Sequence, residues 1–204
     1  MLSLIASSSL IASVLATVGC GSGLGRVDAP DVDPEECARL AFESYDANSD
    51  DRLDAAELKA CPAVSAKFAV YDANEDGAVD PAEFAARLEN LFGKRVGLTQ
   101  LKCSVTLRGR PLAGARVEFE PEPYLGEGIA PASGETDEDG SAQMSVAKER
   151  LPSDLQRLRA VHYGTYKVRI THPQLALADR YNVETELGYE TESGNPSVSF
   201  DLKR

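Results

Sequence analysis

Between residues 42 and 83 the chain repeats itself with a period of 26, and most of the repeated side chains carry oxygen. Phe42, Tyr45, Asp46, Ala47, Asn48 and Asp50 recur as Phe68, Tyr71, Asp72, Ala73, Asn74 and Asp76, and Asp54 and Glu57 recur as Asp80 and Glu83. An aromatic pair followed by alternating Asp and Asn cannot continue a helix. Short polar side chains bond to nearby backbone and favour turns and caps. Each repeat therefore reads as helix, acidic loop, helix. Asp54-Ala-Ala-Glu57 and Asp80-Pro-Ala-Glu83 are capping boxes that restart the helix, the second with proline at its first position. Pro34-Glu-Glu-Cys37 opens the first helix with Asp33 as its cap. Pro62 ends the middle segment and starts the next, so the two middle helices are expected to run only two to three turns.

The charge follows the repeat. Residues 28–90 hold 17 acids and 5 bases, a net of −12, and the rest of the chain holds 16 of each. No basic face exists to displace counterions from phosphates, which excludes nucleic acid as a partner. What the acidic segment suits is a hard cation. In the second loop Asp72, Asn74 and Asp76 offer side-chain oxygens at positions 1, 3 and 5. Ala78 offers its backbone carbonyl at position 7, Asp80 serves position 9, and Glu83 clamps from position 12. Gly77 supplies the positive φ that the turn at position 6 requires. The first loop presents Asp46, Asn48, Asp50, the carbonyl of Arg52, Asp54 and Glu57 in the same order, but places Asp51 where glycine is expected. An all-oxygen set of this kind binds Ca²⁺ rather than zinc, which prefers nitrogen and sulfur. Two calcium sites are expected, the second tighter than the first. Leu53 and Val79, at position 8, are placed to pair the loops in a short sheet.

Residues 34–92 resemble the EF-hand superfamily on these motifs, which implies an all-α pair of hands. The link between hands is shorter than in sensor proteins, and exported modules of this kind bind at roughly 10⁻⁴–10⁻³ M and stay loaded. A structural rather than signalling role for calcium is the expectation.

Residues 1–19 are apolar and serine-rich, too polar to anchor in a bilayer, and read as an export signal. Leu15-Ala-Thr-Val-Gly-Cys20 resembles a bacterial lipobox, which implies lipidation of Cys20 as the mature N-terminus. The chain is then exported and lipid-anchored on the periplasmic or cell-surface face of a membrane, which it touches through the lipid only. Residues 20–33 form a flexible tether. Export permits disulfides, and Cys37 and Cys61 bracket the first loop as the favoured pair; two unbonded buried thiols are the alternative. Cys103 reads as a buried strand thiol.

Beyond a hinge at 93–97 the periodicity changes from helical to alternating. Residues 100–107, 115–120, 140–146, 164–171 and 196–202 alternate apolar and polar side chains, and 151–159 is a helical insertion. These indicate an antiparallel sandwich of about seven strands over 98–204. The expected fold class is therefore α+β and multidomain. Val105-Thr-Leu-Arg-Gly-Arg-Pro-Leu-Ala-Gly-Ala-Arg-Val-Glu-Phe119, with Gly164-Thr-Tyr-Lys-Val-Arg-Ile170 and Val198-Ser-Phe-Asp-Leu202, resembles carboxypeptidase regulatory-like, transthyretin-like domains of exported lipoproteins. That resemblance implies a non-enzymatic structural or adhesive module. Asp137-Glu-Asp-Gly140 reads as a hairpin turn, because its glycine falls at position 4 and Lys148 at position 12 of any loop drawn there. His162 and His172 flank one strand with no partner set for zinc. No phosphate loop, nucleophile elbow or Cys-His arrangement is present, so no catalytic residue is assigned. The leading expectation is a calcium-hardened, non-enzymatic exported protein. The alternative is a calcium-dependent adhesion or docking protein whose partner is an envelope protein or polysaccharide.

Overall fold

Helix α1 (Pro34–Tyr45) begins where the sequence places its cap: the Asp33 carboxylate accepts from the N–H groups of Glu35 (3.0 Å) and Glu36 (3.3 Å). The structure, a computed structural model, describes residues 30–93, 97–153, 155–191, 194 and 197–203. The expected signal segment, Cys20 and the tether up to residue 29 lie outside the described residues, as do 94–96 of the expected hinge. The first acidic loop leads into a 3₁₀ turn, Glu57–Ala60, followed by α2 (Pro62–Ser65) and α3 (Phe68–Tyr71). These middle elements are one turn each, shorter than expected. Pro62 removes a backbone donor at the junction, Cys61 before it is non-helical (φ −121°, ψ 74°), and neither α2 nor α3 has a side-chain cap, although the Asp54–Glu57 box closes at the start of the 3₁₀ turn (3.0 Å in each direction). The second loop leads into α4 (Pro81–Phe92), a twelve-residue helix started by the complete Asp80–Glu83 capping box. Among the described residues no helix is long and apolar enough to cross a membrane.

The second half is strand-rich. The strands are β1 (Leu98–Thr99), β2 (Lys102–Leu107), β3 (Arg110–Pro111), β4 (Arg116–Pro121), β5 (Ala132–Glu135) and β6 (Ser141–Gln143). They continue with β7 (Ser145–Val146), β8 (Val161–His162), β9 (Thr165–Thr171), β10 (Gly188–Glu190) and β11 (Ser197–Leu202). One sheet runs β10-β9-β4-β5-β7 and is antiparallel throughout. A second runs β11-β2-β3 with β6 also on β2, and β1 pairs with β8. The chain is thus mixed α+β with a substantial β part. Two expectations change. Strand β11 joins β2 in parallel, Ser197 opposite Lys102 through Leu202 opposite Leu107, because the chain crosses from β10 in the other sheet before pairing. The turn at Asp137–Gly140 closes an antiparallel pair as expected, with Asp137 N–H bonded to Ser141 (2.8 Å) and Ala132 and Ser133 of β5 opposite Val146 and Ser145 of β7, while β6 between them pairs with β2 of the other sheet. Where a helical insertion was expected at 151–159, the described residues form turns, with a 3₁₀ turn just before, at Lys148–Arg150.

The helical and sheet parts share one hydrophobic core. Phe84 of α4, fully buried, packs against Phe42 of α1 (ring centroids 6.2 Å), Tyr71 of α3 (5.3 Å) and Tyr124 (5.2 Å), which lies in a 3₁₀ turn just after β4. Helix α1 packs on that turn, and α2 packs on β10 and β9. At Gly188 a β-carbon would lie 2.1 Å from the backbone of Pro62 and Ala63, so only glycine lets α2 sit this close to β10.

Candidate functional site

Both acidic loops are built the same way. The residue that ends each incoming helix is a tyrosine, and the next residue, Asp46 or Asp72, is the helix C-cap. The cap N–H donates to Phe42 (3.0 Å) in the first case and Phe68 (2.9 Å) in the second. The cap carboxylate then reaches across the loop. Asp46 accepts from the N–H groups of Asp50 (3.3 Å) and Asp51 (2.9 Å), and Asp72 from those of Asp76 and Gly77 (both 3.0 Å). The last residue closes the ring. Glu57 accepts from Ala47 (2.9 Å), Asn48 (3.3 Å) and Asp54 (3.0 Å), and Glu83 from Ala73, Asn74 and Asp80 (each 3.0 Å). Two positions per loop are left-handed: Ser49 and Asp51 (φ 58° and 59°), and Glu75 and Gly77 (φ 59° and 90°). Asp51 and Gly77 are the turn positions read from the sequence, while Ser49 and Glu75 carried no such signal. Leu53 and Val79 join the loops in an antiparallel bridge with hydrogen bonds of 2.9 and 3.0 Å.

The loops differ in three respects. Asp51 holds a left-handed conformation that costs a residue with a β-carbon roughly 1–2 kcal/mol. Glu57 sits on a four-residue 3₁₀ turn, whereas Glu83 sits on the capped helix α4. The Arg52 guanidinium, from loop 1, bonds the Asp76 carboxylate of loop 2 and holds it below the usual carboxylate range.

As arranged, no group of three or more His, Cys, Asp or Glu side chains among the described residues is placed to hold a metal ion. The carboxylates of positions 1 and 12 face backbone N–H groups instead. The donor chemistry nevertheless fits a hard cation. Each loop brings five oxygen-bearing side chains (Asp46, Asn48, Asp50, Asp54 and Glu57; Asp72, Asn74, Asp76, Asp80 and Glu83) and one position-7 carbonyl onto a single closed ring.

Beneath the loops lies a feature that the sequence did not announce. Two glutamates of the sheet half are fully buried against the helices. Glu122, just after β4, accepts from the Tyr45 hydroxyl (2.8 Å), receives the Cys61 thiol at 3.6 Å and pairs with Lys167 of β9 at 3.6 Å. Burial pushes its carboxyl above the usual range, with Lys167 and the two hydrogen bonds opposing. Lys167 also lies over the Tyr45 ring, 5.6 Å from its centroid. Glu190, in β10, accepts from the Tyr71 hydroxyl (2.8 Å) and is ion-paired to Arg87 of α4. A tyrosine, and not the equally apolar phenylalanine, one residue before each loop was the single signal that a buried acceptor waits on the other side.

Among the described residues the cysteines are free. Cys37, on the first turn of α1, and Cys61 are separate buried thiols, so the favoured disulfide is not formed; Cys61 faces Glu122 of the sheet half instead. Burial raises the Cys37 thiol to about 11. Cys103 is a buried thiol on β2, as expected. His162 lies in β8, half-buried. His172, just after β9, caps the turn at Gln174 and Leu175 through Nδ1. No family model, no curated protein and no solved structure matches the chain.

Proposed function

We propose that this chain is an exported, non-enzymatic calcium-binding protein in which an EF-hand pair is hardened by two ions and carried beside a transthyretin-like β module. The observation that carries the reading is the double one: two loops with the same oxygen donors, the same left-handed positions and the same carboxylate-to-amide bonds, joined through Leu53 and Val79. When bound, calcium supplies positive charge to a ring of carboxylates that otherwise repel one another. Asp46 and Asp72 orient from the helix ends. Glu57 and Glu83 would hold the ion in place of their amide partners, together with the carbonyls of Arg52 and Ala78. Loop 2 is the tighter site, because Glu83 is fixed on α4 and Gly77 takes its φ without strain. Export and the lipid anchor rest on residues 1–20 of the sequence, including Cys20.

Calorimetric titration of the full chain with CaCl₂ tests this, alongside Glu57→Gln and Glu83→Gln. The wild type takes up two ions. Glu83→Gln removes the tighter site and Glu57→Gln the weaker, and chelator lowers the melting temperature of the wild type. A wild type that binds no calcium, or loops of equal affinity, would refute the corresponding part.

A further inference from the structure

The 26-residue repeat maps Tyr45 onto Tyr71, and it also maps Cys61 onto Arg87. Each of these pairs converges on one buried glutamate: Tyr45 and Cys61 on Glu122, Tyr71 and Arg87 on Glu190. Each hand therefore grips its own carboxylate from the sheet half with two side chains, one just before its loop and one a turn after it. We propose that Glu122 and Glu190 are positioning residues for the two loops, so that the sheet half sets the calcium affinity of each loop separately.

The argument runs from geometry. Tyr45 and Tyr71 are the last helical residues before the first donor of their loops, and that donor is the C-cap whose N–H still bonds back into the helix. A helix end cannot roll or slide without moving its tyrosine hydroxyl. A buried hydroxyl separated from its acceptor loses its hydrogen bond with no water to replace it. Each glutamate is fixed in turn, Glu190 within β10 by Arg87, and Glu122 by Lys167 from the neighbouring β9. The first oxygen donor of each loop thus stands one residue from an anchor held by the sheets. The last donor is tied to the same place in loop 2, because Phe84 follows Glu83 and packs on Tyr71. Coupling of this kind is reciprocal: an ion that prefers the anchored arrangement also strengthens the grip on the sheet.

The inference rests on the calcium reading above, and the test separates the two. Full-length chains carrying Tyr45→Phe or Tyr71→Phe are titrated with CaCl₂, each in a Glu83→Gln background, which reports loop 1, and in a Glu57→Gln background, which reports loop 2. Phenylalanine keeps the ring packing and removes only the hydroxyl, so the fold is retained. Tyr71→Phe is expected to weaken loop 2 on the order of tenfold, at the low end of what outer contacts contribute to metal affinity, while loop 1 is unchanged. Tyr45→Phe does the converse. Glu190→Gln, which keeps an acceptor for Tyr71, weakens loop 2 less than Tyr71→Phe. Variants that melt lower but bind calcium as the parent does, or that weaken both loops alike, overturn the positioning role while leaving calcium binding intact. A wild type that takes up no calcium overturns both.

Discussion

Replacing Phe84 tests whether the helical and sheet halves are one cooperative unit. The side chain is fully buried, and its ring meets Phe42, Tyr71 and Tyr124 at centroid distances of 6.2, 5.3 and 5.2 Å, three partners from three elements on both sides of the seam. Phe→Ala in a core costs about 3–5 kcal/mol. Each aromatic pair is worth about 0.5–1.5 kcal/mol beyond its burial, which places this site at the upper end of that range. For a chain of this size each kcal/mol moves the melting temperature by roughly 2–4 °C, so Phe84→Ala should lower it by about 10–20 °C. Phe84→Leu keeps most of the volume and loses the three ring contacts, at about 1.5–4.5 kcal/mol on the same per-pair figure, or roughly 3–18 °C. The assay is thermal unfolding in chelator, followed by far-UV circular dichroism for helix and near-UV for the buried tyrosines. Both signals should move together in one transition, because Tyr124 belongs to the sheet half and Tyr71 to the helical half. Two separate steps, with only the helical one displaced, would refute the shared core, as would a Phe84→Ala shift under about 5 °C.

Asp51→Gly removes a β-carbon from a left-handed position while keeping the N–H that bonds Asp46 (2.9 Å). It should raise stability by about 1 kcal/mol and tighten loop 1 toward loop 2, read by urea unfolding and calcium titration; a looser loop 1 contradicts the strain argument. Glu122→Gln tests the buried carboxyl by its pH dependence. Burial raises the folded-state pKa of Glu122 above its unfolded value of 4.5, so the folded chain holds the proton longer. That contribution is fully present below about pH 4.5 and is lost as pH rises through the folded value. The hydroxyls of Tyr45 and Tyr124 and the Cys61 thiol that face it are pushed up by burial, away from that window. Wild-type stability measured relative to Glu122→Gln should therefore fall as pH rises above about 4.5, and a flat or rising difference would show that burial does not raise the carboxyl.

The loops were legible because their chemistry is local: oxygen-bearing side chains at fixed spacing, a turn position and a capping box all lie within twelve residues. The long strands were legible for the same reason, and β2, β4, β9 and β11 start within two residues of where alternation placed them. Strand β5, Ala-Ser-Gly-Glu, and strand β10, Gly-Tyr-Glu, are too short and too glycine-rich to show a period, and their pairing is set by neighbours far along the chain. The seam was hidden more completely. Glu122 lies 77 residues from Tyr45, and Glu190 lies 119 from Tyr71, and each stands among other acids, Glu118 and Glu120 before the one, Glu186 and Glu192 around the other, so nothing in the sequence marks either as buried. The need for glycine at 188 comes from α2, more than a hundred residues earlier in the chain, lying against it. Independence of the two halves was the natural expectation from a change of periodicity, but a change of period marks a change of element and carries no information about whether two cores merge.

Carboxylates at this seam require a reason, since a well-packed apolar contact would often be as stable or more so. The internal repeat supplies one. Two hands that match at Phe42 and Phe68, Tyr45 and Tyr71, and Glu57 and Glu83 share their loops and flanking aromatic residues, but α1 and α4 run twelve residues against four for α3 and the turn at Glu57–Ala60, so docking with the hands exchanged already meets elements of the wrong length. The polar grips add to that discrimination. In the observed arrangement Glu190 meets Arg87, and Glu122 meets Cys61 with Lys167 alongside. Exchange would set Arg87 next to Lys167 over one carboxylate and leave Glu190 facing a thiol, a buried charge without a cation. Such an unpaired charge is strongly disfavoured, so the asymmetry between Cys61 and Arg87 favours the observed orientation. The same difference assigns each loop its own anchor in the sheet half.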